Sequence, residues 1–234
     1  MDCDLGRQHD MTTFYQKSVT CAICNHSQIV KGIASTNSFG SSDLDTRPPE
    51  MKRSTMFTWV QVCPSCGYCA DDLQNENLKA PAIIKKNKYK QQLNNPNYPD
   101  LANAFLCKAL IESRCGDFAK ATWSLLHAAW ACDDREKKAQ AVQCRQDAVK
   151  MLLRAERKKQ ILMNHRQEET LLLIDLLRRS GQFTLTKQVI ASRRQLLIDD
   201  PSLFPILKFQ SQLIEKEDWA CYTITDAFSE REET

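Results

Sequence analysis

Four cysteines in two matched pairs carry the most chemistry in this chain: Cys21-Ala22-Ile23-Cys24 and Cys63-Pro64-Ser65-Cys66. Two residues between thiols let the backbone turn so that both sulfurs face one point, while free N–H groups point toward them. Two such turns can close a tetrahedral four-sulfur site around Zn2+, with Zn–S near 2.3 Å. Pro64 presets the second turn, and Gly67 just beyond it suits a residue with positive φ. Each pair follows an apolar, β-branched run, Ser18-Val19-Thr20 before the first and Trp59-Val60-Gln61-Val62 before the second. Strand and metal turn, repeated once, is the layout of a zinc ribbon. The pattern predicts Cys21, Cys24, Cys63 and Cys66 as the ligands of one structural Zn2+.

Two neighbours open alternatives. Cys69 extends the second turn to Cys63-x-x-Cys66-x-x-Cys69, a spacing that iron–sulfur clusters also use. The Cys-Pro-x-Cys-Gly sequence and the matching pair upstream favour zinc, with Cys69 spare. His26, two residues past Cys24, could replace a thiolate, although a loop histidine is more often simply solvated. The 38 residues between Cys24 and Cys63 exceed the roughly 15–20 of a compact template, so a long insertion must loop out. Its residues 35–49 are crowded with Ser, Asn, Asp, Gly and Pro, which favour turns held by side-chain-to-backbone bonds. Within it Asp43, Asp45 and Arg47 alternate. They either anchor a partner, substrate or second cation, or fix the loop's own turns, the plainer reading.

Other catalytic constellations are missing. No serine–histidine–aspartate set and no phosphate-cradling glycine loop can be assembled. His127 lies among Leu125, Leu126, Ala128 and Ala129 and reads as a packed core histidine. A closed four-sulfur site has no open position to activate water. The chain is therefore expected not to be an enzyme.

The elements that must position these residues change character along the chain. Residues 1–16 lack periodicity and read as a flexible arm, and 17–75 as the β-like ribbon with its insertion. In that ribbon Gln28-Ile29-Val30 completes a hairpin, and Phe57 to Val62 forms the strand feeding the second turn. Residues 76–99 are a charged connector with a short helix near Ala82–Tyr89, broken by Asn94-Asn95-Pro96-Asn97-Tyr98-Pro99. Residues 100–228 are helical, and 229–234 are an acidic tail. Helices are expected over 100–115, 117–132, 134–164, 167–179, from Gly181 to 199, and over 202–217. Cys115-Gly116-Asp117-Phe118 and Ser180-Gly181-Gln182-Phe183 stand at equivalent places between helices, 65 residues apart. Each Gly would end one helix and each Phe begin the next, as in a tetratricopeptide (TPR) hairpin. Thr186 and Arg193 stand where the second copy should have small residues.

Composition narrows the setting. At 234 residues and 42% hydrophobic content the chain can build a real core, and a net charge of +3 creates no global field for nucleic acid or an anionic membrane. No run approaches the roughly 18 apolar residues of a membrane span, and MDCDLGRQHD has no signal-peptide pattern. Eleven cysteines, an odd number not laid out as a disulfide framework, suit a reducing cytoplasm. The third long helix is basic: between Arg135 and Arg166 ten Lys/Arg face three Asp/Glu. It lacks aromatics for base stacking, and Val142, Val149, Leu152 and Leu153 give it an ordinary buried stripe.

The Cys21–Cys24 pair, the strand Phe57–Val62 entering Cys63-Pro64-Ser65-Cys66-Gly67-Tyr68, and the helical Leu125-Leu126-His127-Ala128-Ala129-Trp130 resemble the domain of unknown function 2225 family of uncharacterised bacterial proteins. The resemblance spans about residues 17–160. It implies a paired-cysteine module followed by a TPR-like helical part, and no activity. The expectation is an α+β protein, a small β zinc ribbon followed by a mainly α-helical TPR-like domain. Its expected role is a zinc-binding, non-enzymatic cytoplasmic adaptor for a protein or peptide, without a membrane partner. The alternative is a nucleic-acid-associated factor using the basic third helix.

Overall fold

The computed structural model describes residues 12–198 and 200–229. Strands β1 (Thr12–Thr20) and β2 (Ser27–Thr36) form an antiparallel hairpin in register from Thr20↔Ser27 to Thr12↔Thr36, with an irregularity at Thr13/Phe14. Residues 12–16, expected in the arm, are thus part of a strand. Tyr15 pairs with Gly32, and its ring lies where a Cβ on that glycine would stand, 2.4 Å away. The remainder of the expected arm, 1–11, and of the tail, 230–234, lies outside the described residues, as does Cys3.

The expected strand Phe57–Val62 is mostly not a strand. Arg53–Thr58 is a 3-10 helix, and only Gln61–Val62 (β3) pairs, with Cys69–Ala70 (β4). β-Propensity loses here to local bonding. The Thr55 hydroxyl donates to the Lys52 carbonyl, the Thr58 hydroxyl donates to the Thr55 carbonyl, and Trp59 Nε1 donates to Thr55 Oγ1.

Among the described residues ten α-helices follow: α1 (Ala80–Ile84), α2 (Asn87–Leu93), α3 (Asp100–Cys115), α4 (Phe118–Asp133), α5 (Lys138–Arg157), α6 (Arg166–Arg179), α7 (Phe183–Ser192), α8 (Arg194–Ile198), α9 (Phe204–Glu215) and α10 (Asp226–Ser229). Helices α3 and α4 form a tight hairpin. Gly116, with φ 89°, caps α3, and the Asp117 carboxylate accepts from Lys120 N to start α4. Gly181, with φ 73°, takes the same place between α6 and α7. The third long helix is shorter than its pattern. It stops at Arg157 because Lys159 is left-handed (φ 56°), and it begins only at Lys138, after a left-handed Glu136 (φ 55°). Both turns use the usual left-handed helix-ending geometry, but with Glu and Lys instead of Gly, so composition hid them. Arg157-Lys158-Lys159 therefore marks a helix end, not the middle of a basic face.

One apolar core runs from the cysteine module into the helices, joining Val19, Met56, Val60, Tyr68 and Leu73 to Phe105, Leu126, Trp130 and Leu172. A second, smaller core seats Leu44 of the insertion against Phe209, Leu213 and Ala227. Main-chain bonds pair the insertion with the C-terminal segment, from Leu44 N to the Tyr222 carbonyl and from Ile224 N to the Ser42 carbonyl. Among the described residues no helix is long and apolar enough to cross a membrane.

Candidate metal centre

The two cysteine turns are built alike. In the first, Cys21 N donates to the His26 carbonyl and Asn25 N to the Cys21 carbonyl. In the second, Cys63 N donates to the Tyr68 carbonyl and Gly67 N to the Cys63 carbonyl. Each turn needs a left-handed residue four positions after its first cysteine: Asn25 at φ 60° and Gly67 at φ 76°. Asn tolerates that region better than other side chains. At Gly67 a Cβ would also meet Leu93 Cδ2 at 2.8 Å, so any side chain there would push the end of Leu93 on helix α2 aside. Tyr89 of α2 donates its hydroxyl to the Gly67 carbonyl at 2.8 Å.

The result is one cluster. The Sγ atoms of Cys21, Cys24, Cys63 and Cys66 all lie within 4.8 Å of one another. Cys21 and Cys66 are 3.8 Å apart and Cys24 and Cys63 3.6 Å. A tetrahedron with metal–sulfur bonds of about 2.3 Å has edges of about 3.8 Å, so the thiols stand where a single four-coordinate ion would hold them. They are far beyond disulfide length, about 2.05 Å. Four thiols this close cannot all ionise without a cation between them. The backbone N–H of His26 draws the Cys24 thiol down to about 7, while burial pushes Cys63 and Cys66 up. The group could hold a metal ion, and a bound cation would release the protons that the buried thiols retain.

The sequence model of an uncharacterized protein family conserved in bacteria, DUF2225, matches residues 14–198. The chain belongs to DUF2225. No curated protein and no solved structure matches it. Within this DUF2225 chain the metal-ligand alternatives separate. Cys69 is outside the four-thiol group; it is buried, with its Sγ directed at the Gly67 carbonyl. His26 is exposed and contributes its backbone rather than its ring. His127 packs among Trp59, Phe105 and Trp130 with ring centroids 5.0–5.2 Å away. Burial, aided by the Lys108 charge, lowers its pKa to about 3, and its Nδ1 has no hydrogen-bond partner.

The Asp43–Arg47 loop is neither an exposed anchor nor merely self-supporting. Asp45 is 0% exposed and accepts from Arg179 at 2.6 Å, Trp130 Nε1 at 2.9 Å and Arg145 at 3.3 Å. Burial alone would raise its pKa, but Arg179 and Arg145 hold it below the ordinary carboxylate value. Asp133 pairs with both arginines, Arg47 with Asp134, and Asp43 with Arg53. The insertion is thus bolted to α4, α5 and α6. Sequence reasoning missed this network. The available signal was Arg145, which falls on the apolar stripe of α5 with Ala141, Ala148 and Leu152.

Proposed function

We propose that Cys21, Cys24, Cys63 and Cys66 hold one structural Zn2+, and that the chain is a non-enzymatic adaptor that docks a protein or peptide on its helices. The 3.6 and 3.8 Å sulfur separations carry the reading. They suit one ion, whereas a multi-iron cluster would hold its thiolates farther apart. Four protein ligands leave no position for a substrate or water, and metal binding supports a module too small for a large core. The two helix–turn–helix hairpins at Gly116 and Gly181 support the TPR-like reading. A groove of about 540 Å3 between α7 and α9 offers a place for an amphipathic segment: Ile190, Ala191, Phe204 and Leu207 line it, with Lys187 and Glu215 at its edge. The free thiols favour a reducing compartment such as the cytoplasm.

Metal analysis of protein purified without added zinc tests the first half. One zinc per chain, lost in Cys63→Ser, is expected, and equimolar iron with visible charge-transfer absorbance overturns it. Crosslinking capture with and without Leu207→Asp tests the second; partners held equally by both proteins overturn the groove. The nucleic-acid alternative predicts binding that falls steeply with salt. It draws less support, because α5 commits Arg145 to Asp45 and Asp133 and pairs Lys150 with Asp147.

A further inference from the structure

A cavity of about 340 Å3 opens between the first turns of α5, the end of α6 and residues 218–221. Arg145 and Arg179 form its inner wall, only 2% and 8% exposed. Each keeps a buried Nε–H without a hydrogen-bond partner. A guanidinium is a donor only, so each of these solvent-sealed atoms lacks an acceptor. The N-terminus of α5 meets the same cavity through Lys138, Ala141 and Val142. That helix is 20 residues long, no side chain caps its first N–H groups, and its first turn has no acidic residue. Its partial positive charge adds to that of Lys138, the arginines' own charge being balanced by Asp45 and Asp133.

Two carboxylates also line the space, and both are engaged. Asp133 accepts from Arg145 at 2.5 Å and Arg179 at 3.1 Å, and Asp218 from the Tyr222 hydroxyl and Ala220 N at 2.7 Å each. Lys138, exposed at the rim, makes no ion pair among the described residues. The rest of the lining is Ala141, Val142, Ala220, the half-exposed Trp219 and Cys221, whose thiol donates to Asp43 at 3.3 Å.

We propose that this cavity binds a small organic oxyanion, a carboxylate or phosphate ester on an apolar body. Its charged end meets Lys138, the start of α5 and the Arg145–Arg179 wall, and its apolar end lies under Trp219. The volume, at the low end of ligand pockets, limits the body to about one ring. The site does not depend on the metal reading, because none of its groups touches the four cysteines.

The full chain is titrated with phenyl phosphate, benzoate, inorganic phosphate and neutral benzyl alcohol, followed by tryptophan fluorescence and melting temperature. Phenyl phosphate or benzoate should give a saturable signal and raise the melting temperature, at lower concentration than inorganic phosphate or benzyl alcohol. Lys138→Gln, at an exposed position that leaves the fold intact, should weaken binding about tenfold, the value of one charged hydrogen bond. Lys137→Gln, one residue earlier, should not. Trp219→Phe should remove the fluorescence change and keep the thermal shift. Three results would overturn the site: no saturable response to either organic anion, benzyl alcohol binding as well as they do, or equal weakening by the two lysine variants.

Discussion

Replacing Asp45 with Asn tests how the insertion is held. The carboxylate is fully buried and neutralises two guanidiniums that are themselves almost fully buried. The amide keeps the shape but removes the charge, leaving Asp133, among the described residues, as the carboxylate paired with both Arg145 and Arg179. Breaking a buried ion pair from one side costs about 3–5 kcal/mol. For a domain of this size that is a fall of about 6–20 °C in melting temperature. Urea denaturation of both proteins measures it, and the Asp45→Asn/Arg179→Met double variant should lose less than the sum of the two single changes. The sign with pH follows from the lowered pKa of Asp45. Its contribution is complete above the unfolded carboxylate value of about 3.9 and fades as pH falls through the lower folded value. The two proteins should therefore converge in stability only in strong acid. A loss below about 1 kcal/mol at neutral pH would refute the claim that this charge holds the loop to the helices.

Three further outcomes are expected. Chelation should lower the melting temperature of zinc-loaded protein, and zinc affinity should weaken as pH falls because thiols must lose protons to bind; a melting temperature indifferent to chelator counts against a structural ion. Gly67→Ala should cost about 1–3 kcal/mol, since it forces a left-handed side chain against Leu93, whereas Asn25→Gly should be nearly neutral; equal effects in denaturation would refute the account of the turns. His127, held to a pKa of about 3, should show no NMR titration between about pH 5 and 8. Because only the unfolded chain takes that proton, stability should decline as pH drops from about 6.5 toward 3, and His127→Phe should flatten the decline.

The thiol cluster could be read from spacing because a two-residue gap between cysteines is a local constraint, and each turn is completed within six residues. Gly116 and Gly181 likewise announced their helix ends. Glu136 and Lys159 did not, since they take the same left-handed conformation without the residue type that signals it. The 3-10 helix before β3 was hidden by Phe57, Thr58, Trp59 and Val60, whose strand propensity yields to threonine bonds visible only in three dimensions. Asp45 was least legible of all. Its partners lie 85, 100 and 134 residues away, and no local pattern specifies which arginine will meet which carboxylate. What could be noticed was an arginine at an apolar position.

That reach in sequence constrains the order of assembly on the ribosome. The second cysteine pair is synthesised by residue 66, soon enough for the two cysteine turns to meet early. The loop between them cannot seat Asp45 until Arg179 has emerged, nor bury Leu44 until Phe209 and Leu213 have followed. During that interval the nascent chain carries the paired cysteine turns with the unanchored loop 37–52 hanging from them. Until the last helices arrive, that loop is open to proteases and chaperones.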